Sequence, residues 1–175
     1  NNWITLTSGT PNELRSVYYY DYQNGWAVGA NGTILKNDNI GNTWTNQSSG
    51  NSYGLNSVHF KDAQTGWAVG DGGKILKTSN EGSSWIHQSS GTTNSISSVH
   101  FIDTQIGWAV GEYGLILKTI DGGGTWTSLS TGKSTWLSSV QFVDNQTGWA
   151  VGGLGIILKT TNGGIAWTSQ SSGTI

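Results

Sequence analysis

A 41-residue repeat is the feature that most constrains what this chain can fold into. The motif Gly-Trp-Ala-Val-Gly recurs four times, with its tryptophan at Trp26, Trp67, Trp108 and Trp149. A second tryptophan series keeps the same step at Trp44, Trp85, Trp126 and Trp167, and Trp3 lies one period before Trp44. No insertion or deletion interrupts the four copies. Such a fixed period indicates units that stack on one another, because one unit alone cannot bury its apolar side chains.

Each copy reads as four short strands separated by glycine-rich turns. In the second copy Val58 and Phe60 alternate with polar neighbours, which is typical of a strand with one buried face. Further strands are predicted over 66–70, over 74–78 and from 85 to about 89. A period of about 41 residues with four strands is typical of a propeller blade. We therefore predict an all-β propeller built from four-stranded antiparallel blades.

We predict that residues 1–175 form a single propeller or a propeller segment. The four blades are expected at about 11–51, 52–92, 93–133 and 134–175. Residues 1–10 read as one extra N-terminal outer strand of a preceding or a closing blade, because the last copy already has its own fourth strand. This surplus predicts either a slice of a longer repeat protein or chains that associate to complete the ring.

Composition narrows the class of protein. The chain has 10 Trp, 6 Tyr and 3 Phe, which are large apolar surfaces that need burial. It has no Cys, which excludes disulfides and thiol chemistry. The net charge of −2 argues against a nucleic-acid surface. No apolar stretch approaches the roughly 20 residues that span a bilayer.

The turn before Trp126 carries a family resemblance. Residues 119–126 read Thr-Ile-Asp-Gly-Gly-Gly-Thr-Trp, which resembles the Asp-box, or bacterial neuraminidase repeat. The whole unit, with Gly-Trp-Ala-Val-Gly followed by Ile-Leu-Lys, resembles photosystem II stability and assembly factor-like propellers. The resemblance covers nearly the whole chain. It implies a propeller fold, a structural role for the box and a protein partner.

The box aspartate is replaced by asparagine in three of the four copies. Both residue types have a short side chain that bonds its own backbone, but only one carries charge. This pattern favours a turn-forming role over catalysis. The predicted structural box residues are Asn39, Trp44, Asn80, Trp85, Asp121, Trp126, Asn162 and Trp167.

Enzymatic chemistry finds little support in the sequence. Sialidases share the Asp-box but clamp their substrate with several arginines, and this chain has only Arg15. Other glycosidases need two carboxylates about 5–10 Å apart. Asp71 and Glu112, at matching positions of adjacent copies, are the only pair to consider, and the blade spacing is expected to hold them apart. We predict no catalytic residue and no cofactor.

Two histidines also lie in register. His59 and His100 share a strand position with Tyr18 and Gln141. A zinc site needs three or four ligands, so we interpret both histidines as polar strand residues and predict no metal site.

One face of the propeller differs between copies and is the candidate binding surface. It holds the second-to-third strand loops and the blade connections, including the aromatic residues Trp136, Tyr53 and Tyr113 and the acids Asp71 and Glu112. Exposed aromatics there can stack on a sugar or anchor a protein, and the alternative is that Trp136 packs on a neighbouring loop.

Three consecutive tyrosines replace the simpler first strand of the other copies. Tyr19 matches Phe60 in register, so we predict that it belongs to the core. Tyr18 and Tyr20 point the other way and are expected to face the central channel or a partner.

These observations favour a non-catalytic, exported propeller that acts as a scaffold or as a protein-binding and assembly module. The expected location is extracellular, periplasmic or at the cell surface, or lumenal in a photosynthetic host. The expected partner is a protein or a second copy of the chain. The alternatives are a carbohydrate-binding module, a structural repeat of a surface layer or fibre, and a glycoside hydrolase.

Overall fold

Four antiparallel sheets, one after another along the chain, make up the computed structural model, which describes residues 5–38 and 43–173. Each sheet contains four consecutive strands in sequence order. Blade 1 comprises β1 (Leu14–Tyr19), β2 (Gly25–Gly29), β3 (Ile34–Asp38) and β4 (Thr43–Gln47). Blade 2 comprises β5 (Leu55–Phe60), β6 (Gly66–Gly70), β7 (Ile75–Thr78) and β8 (Ile86–Gln88).

The second half of the chain repeats this arrangement. Blade 3 comprises β9 (Ile96–Phe101), β10 (Gly107–Gly111), β11 (Ile116–Thr119) and β12 (Thr127–Leu129). Blade 4 comprises β13 (Leu137–Phe142), β14 (Gly148–Gly152), β15 (Ile157–Thr160) and β16 (Thr168–Gln170). The prediction of an all-β fold with four-stranded antiparallel blades is confirmed. In the described ranges no helix is long and apolar enough to cross a bilayer.

The first strand of each blade is the inner one, because β1, β5, β9 and β13 pack against one another in that order. Cross-strand pairing then decides which side chains share a blade face. In blade 2, Val58 lies opposite Ala68, which lies opposite Leu76, and all three are buried on one face. The neighbouring row, with Trp67 opposite Lys77, faces the other way because side chains alternate along a strand.

Flat contacts between aromatic rings join the blades. The Trp67 ring of blade 2 stacks on Phe101 of blade 3 with centroids 3.5 Å apart and an interplanar angle of 9°. Trp126 meets the same Phe101 edge-on at 5.8 Å. The junctions between blades 1 and 2 and between blades 3 and 4 repeat this geometry at equivalent positions. In each of the three junctions, one tryptophan of each series therefore occupies the same place in the inter-blade layer.

Tight turns bring the second-to-third loops and the blade connections to one face, as the strand order predicts. The Asp71 N–H donates to the Gly54 carbonyl at 2.9 Å, which ties a turn to the connection before it. A Cβ on Gly70 would lie 2.0 Å from that carbonyl oxygen, so the position requires glycine. The turn keeps a left-handed residue whatever its type, with φ of 64° at Gly72 and 57° at Leu154.

One expectation about the first blade is wrong. Tyr19, predicted as core, is 44% exposed and contacts Trp44 edge-on. Its counterpart Phe60 is buried because Trp26 of the preceding blade stacks on it, and among the described residues no ring stacks on Tyr19 in that way. Residues 5–10 form no strand and residues 1–4 lie outside the described residues, so the outer strand expected over residues 1–10 stays a prediction.

Truncating one stacked tryptophan tests the inter-blade layer. Trp67→Ala removes a fully buried ring and its stack on Phe101, so we expect a loss of about 3–5 kcal/mol in the free energy of unfolding, measured by urea denaturation. Ile86→Ala, at a side chain that is 64% exposed, is the control and should cost under about 1 kcal/mol. Equal losses in the two variants would contradict this packing.

Candidate functional site

A cleft of about 370 Å³ opens on the loop face that differs between copies. Strand residues, turn residues and two blade connections contribute to it from blades 2, 3 and 4. Its lining residues are Asn56, Asp71, Ser95, Ser97, Glu112, Trp136 and Ser138.

A β-bulge at the start of every inner strand supplies the floor of this cleft. The pairing register shifts between Leu55 and Ser57 in blade 2, so the residue between them has no partner on β6. The same shift recurs in the other blades. The bulged residues are Arg15, Asn56, Ser97 and Ser138. Because a bulge turns a side chain away from the regular ladder, these positions carry polar groups toward the loop face.

Asp71 is held in a charged network at one end of the cleft. The Asn56 amide donates to Asp71 Oδ1 at 3.0 Å and to the Ile96 carbonyl at 3.0 Å. Arg15 donates from Nη1 to Asn56 Oδ1 at 2.8 Å and lies 3.4 Å from Asp71 Oδ2. Its Nε bonds Glu13 at 3.2 Å. The single arginine is thus occupied by two acids and an amide.

Trp136 and Glu112 line the other part of the cleft. The Ser95 N–H donates to Glu112 Oε2 at 3.1 Å, which orients the carboxylate. The Trp136 indole N–H donates to the hydroxyl of Ser97 on the preceding blade, yet the side chain stays 58% exposed. The indole therefore has a defined edge contact and an open surface.

The remaining aromatic candidates lie elsewhere. The Lys74 ammonium sits 4.6 Å from the ring centroid of Tyr53, beside the blade 2 turn. Tyr113 is 71% exposed and borders a separate groove with Lys133. Tyr20 is exposed after the end of β1. The structure brings together Trp136, Asp71 and Glu112 from the predicted set, and it separates Tyr53, Tyr113, Tyr18 and Tyr20 from them.

Tyr18 instead begins a row of rings along the inner strands. Its ring lies 4.8 Å from that of His59, which lies 4.9 Å from that of His100. His59 Nε2 is 3.1 Å from the Phe101 carbonyl, and the Phe142 N–H donates to His100 Nδ1 at 3.4 Å. An Nδ1 that accepts a bond and an Nε2 that faces a carbonyl fit neutral rings.

Burial governs the protonation of these groups. Burial, together with repulsion from His100, lowers the pKa of His59 to about 4, and burial, with Lys61, lowers the pKa of His100 to about 4. Burial also raises the pKa of Tyr18. In residues 5–38 and 43–173 no three His, Asp or Glu side chains group together as metal ligands would.

The box turns show what the Asp-to-Asn exchange preserves. Asp121 Oδ1 accepts the Thr125 N–H at 2.9 Å and the Thr119 hydroxyl at 2.8 Å. Asn80 Oδ1 accepts the equivalent two bonds, at 3.0 and 2.9 Å. Asn162 also accepts from both equivalent positions. Only the oxygen is needed for the turn, while Asn39 lies outside the described residues.

Sequence comparison places this architecture in a family. The family described as photosynthesis system II assembly factor YCF48 matches residues 1–92 and 79–172. The chain belongs to the YCF48 family. The resemblance to assembly-factor propellers is thereby confirmed. No curated protein matches the sequence closely enough to count as a relative.

Solved structures share the fold with this member of the YCF48 family. YCF48 from Cyanidioschyzon merolae is 20% identical, with a TM-score of 0.72 over 93% of this chain and 57% of that one. A structure titled YCF48 bound to D1 peptide is 17% identical, with a TM-score of 0.64 over 95% of this chain and 83% of that one. An ancestral GH74 enzyme is 19% identical, with a TM-score of 0.75 over 94% of this chain and 25% of that one. The chain thus spans just over half the length of the Cyanidioschyzon protein.

The bulged cleft residues are what sequence reasoning missed. Asn56, Ser97 and Ser138 read as ordinary polar strand positions, and Arg15 was considered only as a lone arginine. The available signal was their shared register, because three different residue types occupy one position of the repeat in its four copies.

The box turn gives a test that separates charge from geometry. Backbone and hydroxyl bonds from Thr125, and then the Thr119 hydroxyl, lower the pKa of Asp121 to about 2. Asp121→Asn keeps the accepting oxygen, so its melting temperature at pH 7 should stay close to that of the parent chain, whereas Asp121→Ala should melt clearly lower. If both variants melt equally low, the charge and not the oxygen is what the turn needs.

The buried histidines predict a pH dependence of stability. Because folding lowers both pKa values from the ordinary 6.5, the unfolded chain binds more protons below that pH. Their stabilisation is full above pH 6.5 and is lost as the pH falls toward 4. We expect the melting temperature to drop by several degrees from pH 7.5 to 4.5.

The matched control uses the residue that blade 4 carries at this position, Gln141. A variant with both His59→Gln and His100→Gln should show a much smaller drop in melting temperature over the same interval. An unchanged drop in the double variant would assign the pH dependence to other groups.

Proposed function

We propose that this member of the YCF48 family is a non-catalytic protein-binding module whose cleft around Trp136 receives a segment of a partner polypeptide. The observation that supports this proposal is the hydrogen bonding and exposure of Trp136. Its indole N–H is fixed by Ser97 while more than half of its side chain is open to solvent. A large aromatic that is already oriented loses little entropy on binding, and such residues dominate binding energy at protein interfaces.

The polar groups of the cleft suit an extended peptide. Glu112 Oε2 and Asp71 provide acceptors, and Ser97 and Ser138 provide hydroxyls beside the indole. These groups can pair with main-chain N–H and C=O groups that a peptide would bury. The two carboxylates, with Arg15 already bound by Glu13 and Asp71, favour segments that are neutral or basic.

Relatives support a protein partner. One solved YCF48 is described as bound to D1 peptide, and this chain has the same fold over 95% of its length. We extend to this chain only the class of partner, an unfolded segment of a protein. An exported location, either at the cell surface, in the periplasm or in a photosynthetic lumen, accords with this role.

The alternatives predict different behaviour of the same cleft. A carbohydrate-binding module would use the open face of Trp136 against a sugar ring. A glycoside hydrolase would need Asp71 and Glu112 as an acid and a base, but both carboxylates already accept hydrogen bonds that hold them in place. A surface-layer role and association between chains depend on the ends of the blade stack and not on this cleft.

Peptide binding tests the proposal. We expect the chain to bind members of an immobilised array of lysine-containing 15-residue peptides. Trp136→Ala should weaken that binding by at least about tenfold, the loss typical of a central aromatic. Tyr113→Ala is the control, because Tyr113 is an exposed aromatic outside the cleft. Equal losses in both variants, or no peptide binding at all, would contradict the proposal.

Two further assays separate the alternatives. Binding to a glycan array that is lost in Trp136→Ala, without peptide binding, would identify a carbohydrate-binding module. Hydrolysis of chromogenic glycosides that disappears in both Asp71→Asn and Glu112→Gln would identify an enzyme. We expect neither result.

A further inference from the structure

We propose that a second copy of this chain packs its blade 4 against blade 1, forming one more inter-blade junction of the kind already present three times within the chain. We call the open side of blade 1 the entry face and the open side of blade 4 the exit face. The entry face comprises Leu14, Val17, Tyr19, Ala27, Leu35 and Trp44. Leu14, Val17 and Tyr19 are its exposed part, while Ala27 and Leu35 are already buried within the single chain. The exit face comprises Trp149, Val151 and Ile157. This inference concerns surfaces other than the cleft and does not depend on the proposed function.

The three existing junctions show what each face is built to contact. Between blades 1 and 2, Trp26, Val28 and Ile34 pack on a set of six residues from blade 2. That set comprises Leu55, Val58, Phe60, Ala68, Leu76 and Trp85. The entry face lies one period before this set, with Tyr19 in place of Phe60 as the one change. The exit face lies three periods after Trp26, Val28 and Ile34.

The two faces are therefore complementary halves of one contact. Equivalent layers are buried between blades 2 and 3 and between blades 3 and 4. A side chain that fills a junction is almost fully buried, as Val58 is at 4% exposure. Its counterpart Val17 on the entry face is 61% exposed, and Val151 on the exit face is 38% exposed. Open apolar faces of this kind mark interaction surfaces.

An apolar groove lies open on the entry face. It has a volume of about 330 Å³ and runs between the inner strand and the outer part of blade 1. Its apolar lining includes Leu14, Val17, Ala27 and Trp44, and Leu6 also borders it. On the exit face, the Lys159 ammonium lies 5.4 Å from the Trp149 ring centroid, as Lys118 lies 5.2 Å from the Trp108 ring. Trp149 on the exit face therefore makes the same contact with a lysine as the tryptophans inside the junctions.

Within the described residues the two faces do not cover each other. Neighbouring inner strands pack closely from β1 to β13, and no comparable packing joins β13 to β1 in residues 5–38 and 43–173. Because the entry and exit faces differ, the contact is head-to-tail, and such contacts close into rings or continue as longer assemblies.

The mass of the 175-residue chain in solution tests this inference. We expect light scattering to give twice the chain mass of 18.6 kDa, or a higher multiple, with the share of assembled chain rising with concentration. Val17→Asp and Val151→Asp should each reduce the mass to that of one chain. Both positions are partly exposed, so the variants should fold, and circular dichroism checks this. Ile120→Asp, at an exposed turn position away from both faces, should leave the assembly unchanged.

A mixture of the two variants distinguishes head-to-tail packing from other contacts. The Val17→Asp chain keeps its exit face and the Val151→Asp chain keeps its entry face, so together they retain one intact junction. We expect the mixture to form a two-chain particle that neither variant forms alone. A single-chain mass for the parent protein at every concentration would overturn the inference. So would loss of assembly in only one of the two variants, which indicates contact between identical faces.

Discussion

The indole N–H of the second-strand tryptophan in blades 1, 2 and 3 donates across a blade junction to a main-chain carbonyl in the next blade's box turn, and the rest of the structure depends on this contact. Trp67 donates to Gly122 at 3.0 Å, and Trp108 donates to Gly163 at 3.1 Å. The same ring stacks flat on a phenylalanine of the next blade. Turn conformation, ring position and blade spacing are thus coupled. A residue inserted into either element would break the contact, which accounts physically for a period without insertions.

The polar cleft is built on the β-bulges of the inner strands, which lie outside these inter-blade layers. A bulged residue has no ladder partner and does not enter the apolar junction. Its side chain therefore does not have to fill the space between two blades, as the tryptophan side chains do. The four bulged residues share one backbone geometry but carry three different side-chain chemistries: a guanidinium at Arg15, an amide at Asn56, and hydroxyls at Ser97 and Ser138. Together with the turns at Asp71 and Glu112, they make a site that no single blade could supply. The four blades therefore repeat one backbone conformation while their loop-face side chains differ.

Much of the fold was predictable because its main signal is periodic. The tryptophan spacing and the alternation at Val58 and Phe60 suffice for the blade, its strand order and its turns. The site was predictable in part, because comparing copies identified Trp136, Asp71 and Glu112. It did not identify Asn56, because the alternation of residues does not show a bulge, and the differences between copies at this position were the only sign of it. Nor did it show that Tyr53 lies against Lys74 and away from the cleft, because only packing decides which loop residues meet.

The sequence by itself determined how each blade folds and which faces it presents, because these follow from local alternation, turn chemistry and a constant period. Only the tertiary structure decided what covers each face. Tyr19 and Phe60 occupy the same position of the repeat, yet one is 44% exposed and the other is fully buried. The physical reason is that burial is a property of two surfaces. A repeat specifies its own side of a junction, while the neighbour across it must be present in space.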